Sequence, residues 1–566
     1  MHDVRKKDRA AVLRSRASVL VTLLAGALMW AALVAPDRID HLEPAAFVRI
    51  PLEGIVLAGL ALVLRPPWRR VAIAVAGLAV GVLTVLKALD LASSAALSRP
   101  FDPVADGSYL GSAIGLLGDS IGRQGAVLTV VGAGLLLIAI LVLVPLSALR
   151  LERVVSRHRD RAARVVAALG AAWLLFAVAG AQAGSAGGVA ALGTASLAEA
   201  HVRDLRAGIQ DRQAFTAGVA HDPFDRVSGS DLLTGLRGKD VVFVFVESYG
   251  RVAVDGSAVA QQVGPTLASG TARLRAAGFE ARSAFLTSPT FGGISWLAHS
   301  TLQSGLWVAD QQRYDAAVTS SRLTLSAAFG RAGWRTVGDV PSNRKAWPPG
   351  TDFYHYDAIY DARNVGYAGP MFGYAAMPDQ FTLAAFQRRE LARPGHPPVM
   401  AEIDLVSSHT PWAPLPRIVP WSEVGNGSVF LGMPAQGEPA SSVWQSPRRV
   451  RAAYGQSIAY ALEALVGFVE TSHDDNLVLV VLGDHQPAPI VSGPGASHDV
   501  PVSIIAHDPA VLDRVSAWGW SDGLRPEASA PVWRMDAFRD RFLRAYGPEG
   551  TTIASEPLAA RARGPE

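Results

Sequence analysis

Three short islands in the C-terminal half carry side chains from which chemistry could be built: Val241-Val-Phe-Val-Phe-Val-Glu247, Ser295-Trp-Leu-Ala-His-Ser-Thr-Leu-Gln-Ser-Gly305 and Val478-Leu-Val-Val-Leu-Gly-Asp484-His485. The first and third carry an apolar run into an acidic residue. The second begins with a hydroxyl after the pair Gly292-Gly293 and has helical character. Two carboxylates, an imidazole and a hydroxyl are the donors needed to hold a divalent cation against an oxygen nucleophile. Each has a plainer reading when taken singly. Glu247 can cap a helix or pair with Arg251, Asp484-His485 can make a loop hydrogen bond, and a serine opening a helix is often an N-cap. Their joint occurrence favours the chemical reading. A helix N-terminus stabilises an anion, which suits Ser295 to attack a phosphoryl group. Thr290, in Ser288-Pro-Thr-Phe-Gly-Gly, competes for that role.

These residues need elements to position them. Continuous Val/Ile/Leu runs at 241–246, 399–405, 477–482 and 502–505 alternate with helix-like segments at 323–332 and 457–470. Such interleaving predicts an α/β domain with a largely parallel central sheet. Ligands of these sheets gather at the carboxyl ends of the strands. Glu247, His409 and Asp484-His485 each follow directly on an apolar run, so all are expected at one crevice. The domain is expected over residues 239–547, with a polar tail at 548–566.

The rest of the chain reads as anchor. At 566 residues it exceeds one ordinary core; half of its residues are hydrophobic and only 18% are charged. The net charge of +3 is no nucleic-acid signal, because the basic excess lies in the N-terminal tail and two short loops. The absence of cysteine excludes disulfides, thiolate metal sites and cysteine nucleophiles. Apolar stretches of spanning length are expected at 17–34, 46–64, 71–92, 126–149 and 163–183, giving a five-span α-helical bundle over residues 1–183. The second is short and carries Arg49 and Glu53, read with Lys87 and Asp90 as interfacial or paired structural charges. The basic tail from Arg5 to Arg16 and the loops at 65–70 and 150–164 belong on the cytoplasmic side by the positive-inside rule. Five spans then place the α/β domain outside the plasma membrane, after a Gly/Ala-rich linker and helical tether over 184–238. The segment 109–117 reads as a short interfacial helix.

The soluble half resembles the alkaline phosphatase/sulfatase superfamily, in the branch that contains lipoteichoic acid synthases and phosphoethanolamine transferases. The resemblance rests on a strand ending in an acidic ligand (Glu247), a hydroxyl opening a helix that closes on Ser304-Gly305, and the Gly483-Asp484-His485 signature. In members of this superfamily the nucleophile precedes the closing glycine by three helical turns, and that register selects Ser295 over Thr290. The lipid-phosphate branch usually has threonine here, so serine is a departure. His409, in Ser407-Ser-His-Thr-Pro-Trp412, and His498, in Ser497-His-Asp-Val-Pro501, resemble phosphate-binding histidines. Asn343-Arg-Lys-Ala-Trp347 resembles the segment that contacts glycerol phosphate. Trp347 matches, but Pro349 stands where the arginine belongs, leaving Arg344 or Lys345 to substitute. Ser295-Trp-Leu-Ala-His299 lacks the x-Pro-x-Arg that sulfatases need, which discounts sulfate ester hydrolysis; His299 reads as a helix-packing residue.

The resemblance implies one divalent metal ion, manganese or zinc, on Glu247, Ser295, Asp484 and His485. It implies a covalent phospho-head-group on Ser295, taken from a phospholipid donor (phosphoglycerol or phosphoethanolamine), with His409 acting on phosphate or the leaving oxygen. The acceptor is a cell-envelope glycan or glycolipid, and no nucleic acid is involved. A membrane-tethered phosphodiesterase and a non-catalytic envelope assembly factor are the rival readings.

Overall fold

The computed structural model describes residues 2–38, 41–103, 106–182 and 188–548. The expected tail lies outside the described residues after its first position. The chain divides into two compact units, one of residues 1–103 and 126–211, the other of residues 104–125 and 212–566.

The first unit is helical: α1 (His2–Val34), α2 (Leu52–Val63), α3 (Trp68–Leu97), the part of α4 (Leu110–Arg157, broken at Gly122) from residue 126 on, α5 (Arg159–Ala179) and most of α6 (Gly193–Val219). Among the described residues, four stretches are long and apolar enough to cross a membrane: Ser15–Val34, Trp68–Leu97, Gln124–Arg157 and Arg159–Ala179. Their outer faces are apolar, with Leu128 74% and Val178 88% exposed. The stretch at 46–64 differs from expectation. Pro51 ends any continuous helix there, because a proline disfavours helical backbone in the residue before it. The segment becomes a 3-10 turn (Pro44–Val48), a two-residue strand (Ile50–Pro51) and the 12-residue α2. At about 1.5 Å per residue, α2 alone falls well short of the ~30 Å apolar core of a bilayer. Of the five expected spans, four fall on span-length helices among the described residues, and the stretch at 46–64 does not.

The charges in this unit have structural partners. Glu53 Oε1 accepts from the backbone N–H of Thr194 and Ala195, both at 2.9 Å, and so caps α6. Lys87 Nζ donates to the carbonyls of Ala32 (3.2 Å) and Leu33 (3.0 Å), at the open end of α1. Asp90 meets His201 Nε2 at 3.1 Å.

The second unit is built on a nine-stranded sheet. Its strands are β1 (Asp240–Val246), β2 (Glu280–Thr287), β3 (Arg335–Val340), β4 (Ala358–Asp361), β5 (Val399–Leu405), β6 (Leu477–Gly483), β7 (Asp499–Ala506), β8 (Ser521–Asp522) and β9 (Val532–Arg534). The spatial order is β8-β2-β7-β6-β1-β5-β3-β4, with β9 beside β2. From β6 to β4 all pairings are parallel; β7 runs antiparallel to both β6 and β2. Every residue of β1 is buried, as a central strand covered on both faces requires. Phe243 and Phe245 point to one core with α8 (Ser295–Ser304) and α10 (Asp536–Ala545); Val242, Val244 and Val246 point to the other with α7 (Ala258–Ala276) and α9 (Pro447–Ser472). The start of this unit is tied to its end. Asp222 takes two bonds from the fully buried Arg539 of α10, at 2.8 and 3.1 Å, and one ion pair from Arg322 at 3.1 Å.

Candidate active site

Strand register brings the two carboxylates together. Val246 of β1 stands opposite Gly483 of β6, so the next residues, Glu247 and Asp484, leave adjacent strand ends side by side. The Glu247 N–H still bonds the Leu405 carbonyl at 3.0 Å, and Ser248 then turns the chain at φ 59°. Asp484 Oδ1 accepts the N–H groups of Ser248 and His485, both at 2.7 Å, which pins the carboxylate. Gly483 is required by close approach: a Cβ there would run into the Tyr249 carbonyl.

The nucleophile position is set by a tight entry to α8. Gly292 (φ 72°) and Ile294 (φ 67°) both lie in the left-handed region, and Ser295 follows as the first helical residue. Left-handed backbone at a β-branched residue costs on the order of 1–3 kcal/mol, strain typical of functional turns. The turn delivers Ser295 Oγ to within 3.0 Å of Glu247 Oε2, to which it donates, and 3.3 Å of His485 Nε2. Thr290 is occupied elsewhere, its hydroxyl donating to the Gly293 carbonyl within the same loop.

His485 Nδ1 donates to the Gln486 carbonyl at 2.8 Å, so Nε2 is the atom that faces the carboxylates. It lies 3.3 Å from Glu247 Oε1 and 3.5 Å from Asp484 Oδ2. Asp484 Oδ2 is buried and accepts no hydrogen bond. Spacings of 3.0–3.5 Å match the edges of a ligand shell with bonds of about 2.0–2.2 Å, and the unpartnered Asp484 oxygen fits a metal ligand. Glu247, Asp484 and His485 thus form a group able to hold a metal ion.

The electrostatics agree with that fit. Burial pushes the Glu247 carboxyl up, but the His485 hydrogen bond and the charges of His409 and His485 outweigh it and hold the group below the usual carboxylate range. Burial and then repulsion from Glu247 push Asp484 up to about 6. Burial lowers His485, but Asp484 and Glu247 override it and bring it up to about 9. The imidazolium supplies the counter-charge; a divalent ion held by these residues would take over that role in place of the proton.

His409 donates from Nδ1 to the Thr410 carbonyl at 2.5 Å and stacks on Tyr374 at 3.7 Å between ring centres. His498 lies against Phe291 (5.1 Å); burial lowers its pKa, with the charge of His485 adding to the effect. Trp347 packs on Tyr354 (5.3 Å) and Tyr356 (6.3 Å), while the exposed Arg344 reaches Met371 Sδ at 3.0 Å and Lys345 is exposed. The structure therefore gathers Glu247, Ser295, Asp484 and His485, sets His409 and His498 within their electrostatic reach, and gives Trp347 and Arg344 other partners. The sequence reading missed Glu402 and Asp404, which meet His299 in a second His/carboxylate group. The available signal was a pair of carboxylates two residues apart in an otherwise apolar strand.

No family model matches the chain, and no curated protein matches it. Solved structures do match. They include the lipoteichoic acid synthase LtaP from Listeria monocytogenes, with a TM-score of 0.34 and 15% identity over 48% of this chain and 66% of that one. The soluble domain of lipooligosaccharide phosphoethanolamine transferase A from Neisseria meningitidis gives a TM-score of 0.36 and 14% identity over 55% of this chain and 88% of that one. The phosphoglycerol transferase GacH of Streptococcus pyogenes, in complex with sn-glycerol-1-phosphate, gives 0.32 and 12% over 59% and 90%.

Proposed function

We propose that the protein is a membrane-bound, metal-dependent transferase that moves a phospholipid-derived phosphoryl head group, phosphoglycerol or phosphoethanolamine, through Ser295 to a cell-envelope glycan or glycolipid. The observation that carries this reading is the ring of Ser295 Oγ, Glu247, His485 Nε2 and the orphaned Asp484 Oδ2. Glu247, Asp484, His485 and Ser295 hold the cation, manganese or zinc by donor type. When bound, the ion supplies Lewis-acid polarisation of the phosphoryl oxygens and lowers the effective pKa of the serine hydroxyl.

Ser295 Oγ bonds to phosphorus as the bond from phosphorus to the diacylglycerol oxygen breaks. The serine proton departs along its hydrogen bond toward Glu247 for solvent. His409, whose Nδ1 is committed to the Thr410 carbonyl, presents Nε2 to protonate the leaving oxygen. An acceptor hydroxyl then attacks the same phosphorus and gives its proton to His409, and Ser295 leaves and is reprotonated. His498 contacts phosphate, and Arg344, Lys345 and Trp347 form the head-group side. Residues 1–183 anchor the enzyme at the plasma membrane with the N-terminus cytoplasmic. The stretch 46–64 crosses as a broken span, and the α/β domain over 239–547 lies outside.

The test is mass spectrometry of Ser295 after brief exposure of the full-length protein to phosphatidylglycerol or phosphatidylethanolamine vesicles and an acid quench. The expected result is an adduct on Ser295 whose mass identifies the head group. Ser295→Ala is expected to lose turnover by roughly 10³-fold or more. Full turnover in Ser295→Ala, or an adduct on Thr290, would overturn the assignment.

A further inference from the structure

Strand β5 is apolar except for Glu402, which is buried, and Asp404, which is half-buried; the two sit two residues apart and therefore on one face. That face looks at α8, where His299 stands one turn beyond Ser295. His299 Nδ1 lies 2.9 Å from Glu402 Oε1 and 3.5 Å from Asp404 Oδ1. The imidazole is held in place by stacking on Phe245, 3.7 Å between ring centres. Glu402 is 5% exposed, and its other oxygen accepts from the amide nitrogen of the fully buried Gln303. The Gln303 oxygen in turn accepts the Ser326 N–H at 3.0 Å, which fixes the amide orientation. One oxygen of Glu402 is thus committed and the other is presented to His299.

Asp404 Oδ1 has no such provision. It is buried, and it accepts no hydrogen bond. A single imidazole N–H satisfies one carboxylate, here Glu402 at the shorter distance. The second carboxylate is superfluous to an ion pair and costly in a buried strand. A cation accounts for it. The three donor atoms lie within 4.8 Å of one another, and the 2.9 and 3.5 Å spacings are edges of a shell with bonds of about 2.0–2.2 Å. Gln303 on Glu402 is the kind of outer hydrogen bond that orients a ligating carboxylate. The Asp404 side chain retains 23% exposure, which leaves a path for an ion.

We propose that His299, Glu402 and Asp404 bind a second divalent cation, distinct from one on Glu247, Asp484 and His485. One imidazole and two carboxylates suit manganese or zinc. Helix α8 then presents Ser295 to one cation and His299 to the other along one face. The site stands on its own donors, whether or not Ser295 is the nucleophile.

The test is a Mn²⁺ titration of the full-length protein in detergent after chelator treatment, with free Mn²⁺ read by electron paramagnetic resonance. Asp404→Asn and Glu402→Gln are each expected to bind one equivalent fewer than the wild type, and Asp484→Asn to lose a different equivalent, so that Asp404→Asn/Asp484→Asn loses both. If Asp404→Asn and Glu402→Gln bind as much Mn²⁺ as the wild type, the site does not exist. Should those variants fail to fold, anomalous scattering from Mn²⁺-soaked wild-type crystals decides. A peak bounded by His299, Glu402 and Asp404 supports the site, and none there overturns it. An equivalent lost in Asp404→Asn but none lost in Asp484→Asn would support this site and fault the first site alone.

Discussion

Asp222 illustrates how a buried side chain contributes to the response of this protein to acid. Its side chain is 6% exposed between Arg539 and Arg322. Burial pushes the carboxyl up, but the charge and hydrogen bonds of Arg539, followed by Arg322, outweigh this and leave it below its usual value. A carboxyl depressed by folding stabilises the protein above its unfolded pKa of about 3.9 and loses that contribution as pH falls through the folded value. Stability measured by thermal unfolding is therefore expected to decline below about pH 4, and Asp222→Asn should remove this component. At pH 7 the same substitution is expected to cost about 3–5 kcal/mol, because it strips one partner from a buried ion pair. Gly483→Ala is expected to abolish Mn²⁺ binding at Glu247 and Asp484, since its methyl collides with the Tyr249 carbonyl where the two strand ends meet. At this scale the sequence was legible where chemistry sits at an element boundary. Glu247 and Asp484 end strands and Ser295 opens a helix, so all three break a local pattern. Glu402 and Asp404 lie inside a strand and acquire meaning only from His299, about a hundred residues earlier.

At the scale of elements, α8 depends on its polar inner side as much as on its apolar one. Gln303 supplies an acceptor to the Ser326 N–H and a donor to Glu402. Gln303→Met keeps the volume but leaves both groups unpaired in the interior, an expected loss of about 2–4 kcal/mol in denaturant unfolding. Gly292→Ala forces a methyl into left-handed backbone at the entry turn, at a cost of roughly 1–2 kcal/mol, and is expected to loosen Ser295 as well. The central strands were legible: the apolar runs at 241–246, 399–405 and 477–482 became β1, β5 and β6 to within a residue at each end. Strands β2, β3 and β4 were not, because polar residues interrupt them and pairing on the sheet supplies what their composition lacks. Hydropathy also overstated the stretch at 46–64. Averaging over a window conceals that one proline divides it.

For the whole molecule, the cysteine-free chain makes sidedness directly measurable. His158→Cys, between α4 and α5, and Ser228→Cys, ahead of β1, are both at exposed positions. In intact cells a membrane-impermeant maleimide is expected to label Ser228→Cys and to spare His158→Cys until the membrane is permeabilised. Labelling of both before permeabilisation would overturn the proposed topology, and labelling of His158→Cys alone would reverse it.

The Asp222–Arg539 clamp has a mechanical consequence. A domain pulled through one end of its chain takes the load first at the contacts nearest that end. Force arriving along α6 reaches Asp222 before it reaches β1, and there passes into Arg539 and the helix that ends the fold. The two ends of the unit are loaded in parallel at a buried charged junction, so the central strands are shielded from the pull. The unit should resist stretching far better from residue 212 than from residue 239.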